Sequence, residues 1–290
     1  MSCFCGFFQD TQSSDFGFIA YNDQPPNENS VSSTHGHSKG VVMIDEDNVV
    51  WLLHSTPRFP FSHESNNFYP KNGERNAQIF MCVTLKSTES AEIAQHLKDI
   101  EAYKFEEHNA DKLTDSSTVP RARPYNKDLW SAGHLQFKRF VKQTSATRDP
   151  KVGDLYVTIA DTLNTNLYIQ TWRSNPGEPS VTGKNKLVTI MSVDTAAGKW
   201  DHGSDHSKWC VSETQDWMCV GDSNREPSQF ERPGGALCIK SQPVAEKFRE
   251  IKKLVKIDTA GATAGAADSD IDCVTESDTG PPPKKPKVHG

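Results

Sequence analysis

The tripeptide His-Ser-Lys occurs twice in this chain, at residues 37–39 and 206–208, and each copy opens the same kind of segment. The first reads HSKGVVMIDEDNVVWLLHS and the second HSKWCVSETQDWMCVGDS. Each predicts a strand, a tight polar turn (Glu46-Asp47-Asn48; Thr214-Gln215-Asp216), a second strand carrying Trp, and a polar cluster ending in Ser. Lys39 to Ser55 spans 16 residues and Lys208 to Ser223 spans 15, so the two hairpins match in length. A hairpin written twice points to two similar halves facing each other.

The spacing inside each motif carries chemistry. Residues i and i+2 of a strand project to the same face, so an imidazole and an ammonium sit side by side. Lys is a point charge suited to a phosphate oxygen. His serves as nucleophile or as general acid and base near its own pKa. Two such hairpins brought together place His37, Lys39, His206 and Lys208 around one phosphodiester. The two ammonium groups then neutralise developing charge, and no metal is called for. His54 and Ser55 close the first hairpin where Asp222, Ser223 and Asn224 close the second. His54 is expected to line the site, with Ser55, Asp222, Ser223 and Asn224 as substrate contacts. A zinc site built from His35, His37 and His54 is the weaker reading. No nearby Cys or carboxylate completes its ligand set, and Lys39 repels a cation.

Longer blocks add to the motifs: Tyr21-Asn22-Asp23-Gln24-Pro25-Pro26, HGHSKGVVMIDEDNVVWLLHSTPRFP over 35–60, VGDLYVTIADTLNTNLYIQTW over 152–172, and the whole of 205–238. On these residues the chain resembles the deoxyribonuclease II family, within the phospholipase D superfamily, across residues 16–255. The resemblance implies a mixed α/β fold of two pseudo-symmetric halves, each a β-sheet flanked by helices with one HxK hairpin. It implies cofactor-free, metal-independent, acid-favouring cleavage of double-stranded DNA of any sequence. The ends would be 3′-phosphate and 5′-hydroxyl, formed through a phosphohistidine. It favours His206 as the critical catalytic histidine, and it pairs Cys219 with Cys238 in a disulfide. A homodimer is a further expectation. A catalytically inactive, DNA-binding relative is the alternative, and substrate competition would separate DNA from another phosphodiester.

Some positions depart from the family pattern. The superfamily often follows HxK with an Asp five residues on and then a GSxxN element. Here Lys208 is followed by Glu213 and by Gly221-Asp222-Ser223-Asn224, while Lys39 has Ile44 at that offset and Asp45 next. Which carboxylate orients which imidazole therefore stays open. Family members carry a signal peptide and a sizeable segment ahead of the YNDQPP block, including a partner for Cys82. Residues 1–15 accordingly read as an atypical N-terminal segment and the first half as incomplete. Seven cysteines, an odd number, leave at least one unpaired in an oxidising compartment.

The rest of the chain is less specific. Ile79–Leu85 reads as a buried strand, and Ala91–Tyr103 as a helix with Ile93, Leu97 and Ile100 on one face. DLYVTIADTLN predicts a helix and NLYIQTW the strand after it. Arg121 and Arg123 read as a solvated face. Lys138, Arg139 and Lys142, interleaved with Phe137, Phe140 and Val141, suit DNA contact. Trp172 and Trp200 read as packing. His202 and His206 would pair on a helix, but Gly203-Ser204-Asp205 predicts a loop entering a strand instead.

From 256 to 290 an acidic, small-residue tail is expected to be disordered. It ends in a basic cluster, Lys284, Lys285 and Lys287, with the composition of a nuclear-import signal. No run of about 18 apolar residues exists to span a membrane. The resemblance implies a lysosomal or secreted protein. The N-terminal residues are not expected to act as a secretory signal, and with the basic tail a complete chain of this sequence would be expected in the cytoplasm or nucleus. The formal charge of −6 disfavours a polyanion at neutral pH, but protonating all ten histidines turns it to +4. Acid would therefore help DNA binding.

Overall fold

The computed structural model describes residues 16–26, 28–61, 70–113, 121–172, 181–182, 184–253 and 255–256. The segment 1–15, the acidic tail beyond 256 and its Lys284, Lys285 and Lys287 lie outside the described residues.

Both hairpins form. In the first half β1 is Gly17–Asn22, β2 is Lys39–Ile44 and β3 is Asn48–His54. They are followed by β4 (Phe80–Lys86), α1 (Ser90–Asp99) and β5 (Lys104–His108). These strands make one sheet in the order β4-β3-β2-β1-β5. The run of β-branched and aromatic residues in β2 and β3 suits a sheet interior, and both faces are in fact covered. Val42, Ile44, Val49 and Trp51 pack with Ile93 and Leu97 of α1. Val41, Met43, Val50 and Leu52, of opposite parity, pack with Phe18 and Phe59.

The second half begins with β6 (Tyr125–Trp130), β7 (Gln136–Val141), α2 (Pro150–Gly153), α3 (Leu155–Leu163) and β8 (Leu167–Gln170). Next come β9 (Val181–Thr182), β10 (Asn185–Ile190), β11 (Ser192–Thr195) and β12 (Gly198–Asp201). The duplicated hairpin is β13 (Trp209–Ser212) and β14 (Trp217–Gly221). After it lie α4 (Pro227–Phe230), β15 (Gly235–Lys240), α5 (Gln242–Ile251) and β16 (Val255–Lys256). The larger sheet runs β16-β10-β8-β13-β14-β15-β7-β6, with β9 against β10. Its α3 face carries Leu155, Tyr156 and Ile159 against Ile169, Cys210 and Ala236. Trp209, Val211 and Met218 pack on the α5 side, where Leu53 and Met81 of the first sheet join them.

The mixed α/β fold with one HSK hairpin in each sheet agrees with expectation. The likeness of the halves extends beyond those hairpins: β1-β2-β3-β4 followed by α1 is answered by β8-β13-β14-β15 followed by α5, all antiparallel, although the two sheets differ in size. Two local expectations are corrected. The strand expected over 79–85 is β4, at the edge of its sheet, so it alternates instead of being buried, with Phe80 44 % exposed. The helix expected to reach Tyr103 stops at Asp99, because Glu101 turns into the left-handed region at φ 50°. Ile93, Leu97 and Ile100 are buried as the periodicity required. Among the described residues no helix is long and apolar enough to cross a membrane.

Candidate active site

The first half builds its part of the site at the open end of the β1–β2 pair, where Asn22 and Lys39 are register partners. Asn22 Nδ2 donates to the Phe59 carbonyl at 2.9 Å, and its Oδ1 accepts from Gln24 N–H at 2.8 Å. These bonds fix the turn that presents Asp23. That carboxylate is buried and takes the Lys39 ammonium on Oδ1. Its Oδ2 lies 3.9 Å from His37 Nε2 and 3.2 Å from Arg232 Nη2. Burial alone would push the Asp23 carboxyl up, but Lys39, then His37 and Arg232, overcome it and hold it well below the usual carboxylate range. His37 moves the other way. Burial, with the Lys39 charge behind it, keeps its imidazole neutral well below the ordinary histidine pKa. Its Nδ1 is buried without a hydrogen-bond partner.

The second half answers with β13. His206 N–H donates to the Ala77 carbonyl at 2.9 Å, which ties the motif to the first half. Lys208 Nζ donates to the His206 carbonyl at 3.0 Å, and the His206 ring meets Trp172 edge-on with centroids 4.6 Å apart. Asp205 frames the strand entry, accepting from Ser207 N–H and Trp200 Nε1, each at 2.8 Å. Lys208 is buried, and burial first, then the Lys39 charge, push its ammonium down to about 7.

The loop after β14 is tied from behind. Tyr156 OH on α3 donates to the Ser223 carbonyl at 3.0 Å, and Asp154, the cap of α3, pairs with buried Arg225 at 2.9 Å. Asp222 accepts from Gly235 N–H at 2.8 Å and from the Ser223 hydroxyl at 2.7 Å. A Cβ at Gly234 would lie 2.6 Å from both Asp222 Oδ1 and Ser223 Oγ, so this close approach needs glycine. Burial raises the Asp222 carboxyl above its usual value. Asn224 is buried with Oδ1 unpartnered.

The two motifs share one electrostatic site. Lys39 acts on Lys208, Lys208 acts on His37, and Asp23 acts on all three. His54 feels Lys39 as well; it is buried between Phe59 and Phe80, its Nδ1 accepting from Thr56 N–H at 3.2 Å and its Nε2 unpartnered.

Several expected residues also brace the fold. The Ser55 hydroxyl donates to Gln78 at 2.5 Å and accepts from Ile79 N–H at 3.0 Å, so it joins β3 to the segment entering β4. Asp222 is likewise a loop brace. Neither Asp45 nor Glu213 orients an imidazole, because both lie at the far ends of their hairpins. Asp45 accepts from the N–H groups of Asp47 and Asn48 in the turn, and Glu213 accepts from Asn166 and Tyr168.

Arg121 and Arg123, read as a solvated face, and the basic residues considered for DNA contact all have protein partners. Arg121 forks onto Glu92, Arg123 reaches Glu101, Lys138 pairs with Asp128, and buried Arg139 meets Glu92 and Asp99. Lys142 is buried, with Nζ donating to the Phe230 carbonyl at 3.3 Å. His202 sits in a short 3-10 turn before β13, so no helical pair with His206 forms. His35 Nδ1 lies 3.1 Å from the Glu101 carbonyl. Among the described residues no group of three or more His, Cys, Asp or Glu is arranged to hold a metal ion. Sequence reasoning missed Asp23 and Arg232. Their signal was a lone acid straight after an apolar strand, and a lone Arg before Pro-Gly-Gly.

Twin hairpins that bring two ammonium groups and a buried imidazole to one place define an enzyme of phosphodiester hydrolysis. The chain belongs to the deoxyribonuclease II family, whose pattern matches residues 5–256, and it is a nuclease of that type. It is similar to Deoxyribonuclease-2-alpha of Rattus norvegicus, at 32 % identity over 84 % of this chain and 74 % of that protein. It is also similar to Plancitoxin-1 of Acanthaster planci, at 32 % identity over 79 % of this chain and 68 % of that protein. Among solved structures it is similar to a phosphatidylserine synthase of Haemophilus influenzae, with TM-score 0.36 and 9 % identity over 76 % of this chain and 62 % of that one. The disulfide Cys219–Cys238 is present, joining register partners of β14 and β15.

Proposed function

We propose that this chain is an endonuclease that cuts double-stranded DNA of any sequence, without a metal ion and preferably in acid, leaving 3′-phosphate and 5′-hydroxyl ends. The observation that carries this reading is the pair Lys39 and Lys208, one from each HSK motif, with Lys39 acting on Lys208 and both acting on the His37 imidazole. Two ammonium groups so placed clamp the non-bridging oxygens of one phosphodiester. Buried Asn224 and Ser223 supply further polar contacts.

In the reaction, one neutral imidazole attacks phosphorus in line, forming an N–P bond as the bond to the 5′-oxygen breaks. The opposite imidazolium gives its proton to the departing oxygen. Water then attacks phosphorus, the N–P bond breaks, and the 3′-phosphate leaves with the proton of that water returned to the second imidazole. His206 is the critical histidine in this reading and His37 its partner. His54 lines the Lys39 side.

Acid helps in three ways. Lys208 gains its full charge only below about 7. Asp222, raised by burial, loses its negative charge earlier than an ordinary carboxylate. His37, lowered by burial, needs acid to become an imidazolium. An acidic compartment is the setting that suits such a site.

The test is supercoiled plasmid in excess chelator at pH 5 and pH 7.5, with the DNA ends labelled. Chelator-resistant, acid-favoured nicking with 3′-phosphate ends is expected. His206→Ala should abolish cutting and keep DNA retention; a folded His206→Ala protein that still cuts would overturn the mechanism.

A further inference from the structure

We infer that Arg232 is a positioning residue for this reaction: it crosses from the second half to hold Asp23, and through Asp23 it sets the His37–Lys39 segment that enters β2. The inference rests on the proposed histidine reading.

Arg232 lies 209 residues from Asp23 in sequence, yet its Nη2 is 3.2 Å from Asp23 Oδ2. The same guanidinium donates to the His35 carbonyl twice, from Nε at 3.1 Å and from Nη2 at 2.9 Å. One planar fork therefore grips both the carboxylate beneath the motif and the backbone two residues before His37. The turn it grips is shaped to be gripped. Gly36 N–H donates to the Ile100 carbonyl at 3.1 Å, and a Cβ at Gly36 would meet that oxygen at 2.4 Å and the Pro233 carbonyl oxygen at 3.4 Å. Only glycine lets the turn enter between the end of α1 and the Arg232–Pro233 segment.

The loop that carries Arg232 is itself braced. Lys142 N–H donates to the Gly234 carbonyl at 3.0 Å, and Ser145 N–H to the Phe230 carbonyl at 2.9 Å. Arg232 is thus a fixed arm of the second half. Asp23 stands at the meeting point: Lys39 on one oxygen, His37 and Arg232 on the other. If Arg232 is removed, Asp23 Oδ2 is left to His37 alone and a nearby positive charge disappears. Both changes favour the imidazolium. The charged groups that act on His37 are Lys39, Asp23, Lys208 and Arg232, so one of three opposing cations is lost.

The experiment compares full-length wild type, Arg232→Met, Arg232→Lys and Arg148→Met. Arg148 pairs with Glu231 at 3.0 Å in the same loop but on the exposed side, so it controls for loop anchoring. Two quantities are read: kcat and KM on plasmid across pH, and the His37 imidazole titration by NMR, with the signal assigned by its loss in His37→Gln. Arg232→Met should lower kcat about tenfold with KM within about threefold. Its His37 midpoint should rise by about 0.5–1 unit. Arg232→Lys should recover part of both, and Arg148→Met should change neither. A folded Arg232→Met protein with wild-type kcat and His37 midpoint overturns the inference, and so does an equal effect from Arg148→Met. If the wild type cuts only with added metal, the histidine reading fails, while the NMR midpoint still decides the link from Arg232 to His37.

Discussion

Lys39 of the first half acts on Lys208 of the second, and burial together with that like charge pushes the Lys208 ammonium down to about 7. A group held that far below its unfolded pKa stores a stability penalty. The unfolded chain keeps the proton up to about 10.4, so between about 7 and that value it binds more protons than the folded one. Stability therefore climbs with pH across this window, and the penalty is fully present below about 7.

Lys208→Met follows directly. It removes a buried charge and keeps most of the side-chain volume, so it should stabilise the fold by about 3 kcal/mol at pH 6. The advantage should shrink as pH rises towards 10. Cleavage should fall by about a hundredfold or more, because one phosphate clamp is gone. Urea unfolding at several pH values checks the first part and a plasmid assay the second. A Lys208→Met protein less stable than wild type at pH 6 contradicts the account.

Asp23→Asn should do the opposite. The amide has nearly the shape of the carboxylate but leaves Lys39 and Arg232 without their counter-charge. Breaking a buried ion pair from one side costs about 3–5 kcal/mol. Because the folded pKa of Asp23 is depressed, its contribution is fully present above the unfolded value of about 3.9 and is lost only as pH falls through the lower folded value. The gap between wild type and Asp23→Asn should accordingly hold steady from pH 7 to pH 5 and narrow below about pH 4. Denaturant unfolding over that range measures it.

The repeated hairpin was legible because it is local. Two HSK motifs, two polar turns and two apolar runs of strand length fix β2–β3 and β13–β14 without any distant partner. Helix α3 was legible for the same reason, with its capping acid Asp154 directly ahead of it. The support of the site was not. Asp23 and Arg232 meet across 209 residues, and nothing in either neighbourhood announces the other. Lys138, Arg139 and Lys142 looked like DNA contacts because periodicity cannot tell a basic side chain aimed at a phosphate from one paired with Asp128, Glu92 or a buried carbonyl. The edge position of β4 was equally out of reach, since strand order is a property of the sheet and leaves little mark on the strand.

The disulfide offers a separate test. Cys219 and Cys238 are register partners 19 residues apart, and the loop they close carries Asp222, Ser223, Asn224 and Arg232. Closing a loop of that length constrains the unfolded chain by about 3 kcal/mol. Cys219→Ala/Cys238→Ala should lower unfolding free energy by about 2–3 kcal/mol, read by urea unfolding of oxidised protein. Both sulfurs are buried in the cluster under α3, so kcat of the folded double variant should stay within about threefold. Unchanged stability would show that the surrounding strands already hold the loop.

His54 sets the acid limit of the fold. Burial, and after it the Lys39 charge, press its imidazole down to about 3. The unfolded chain takes a proton near 6.5, so the neutral, buried ring contributes stability above that pH and loses it progressively as pH falls towards 3. The loss amounts to about 2–3 kcal/mol between pH 6.5 and pH 4.5. His54→Phe keeps an aromatic ring between Phe59 and Phe80 but cannot be protonated. It also strips the Thr56 N–H of its acceptor, at about 1–2 kcal/mol. The variant should thus be less stable than wild type at pH 7.5 and equal or more stable at pH 4.5, with the two urea-unfolding curves crossing between. Parallel curves would mean that His54 takes its proton in the folded state as easily as in the unfolded one. In that case the acid limit lies with His37 and His96, which burial also holds neutral.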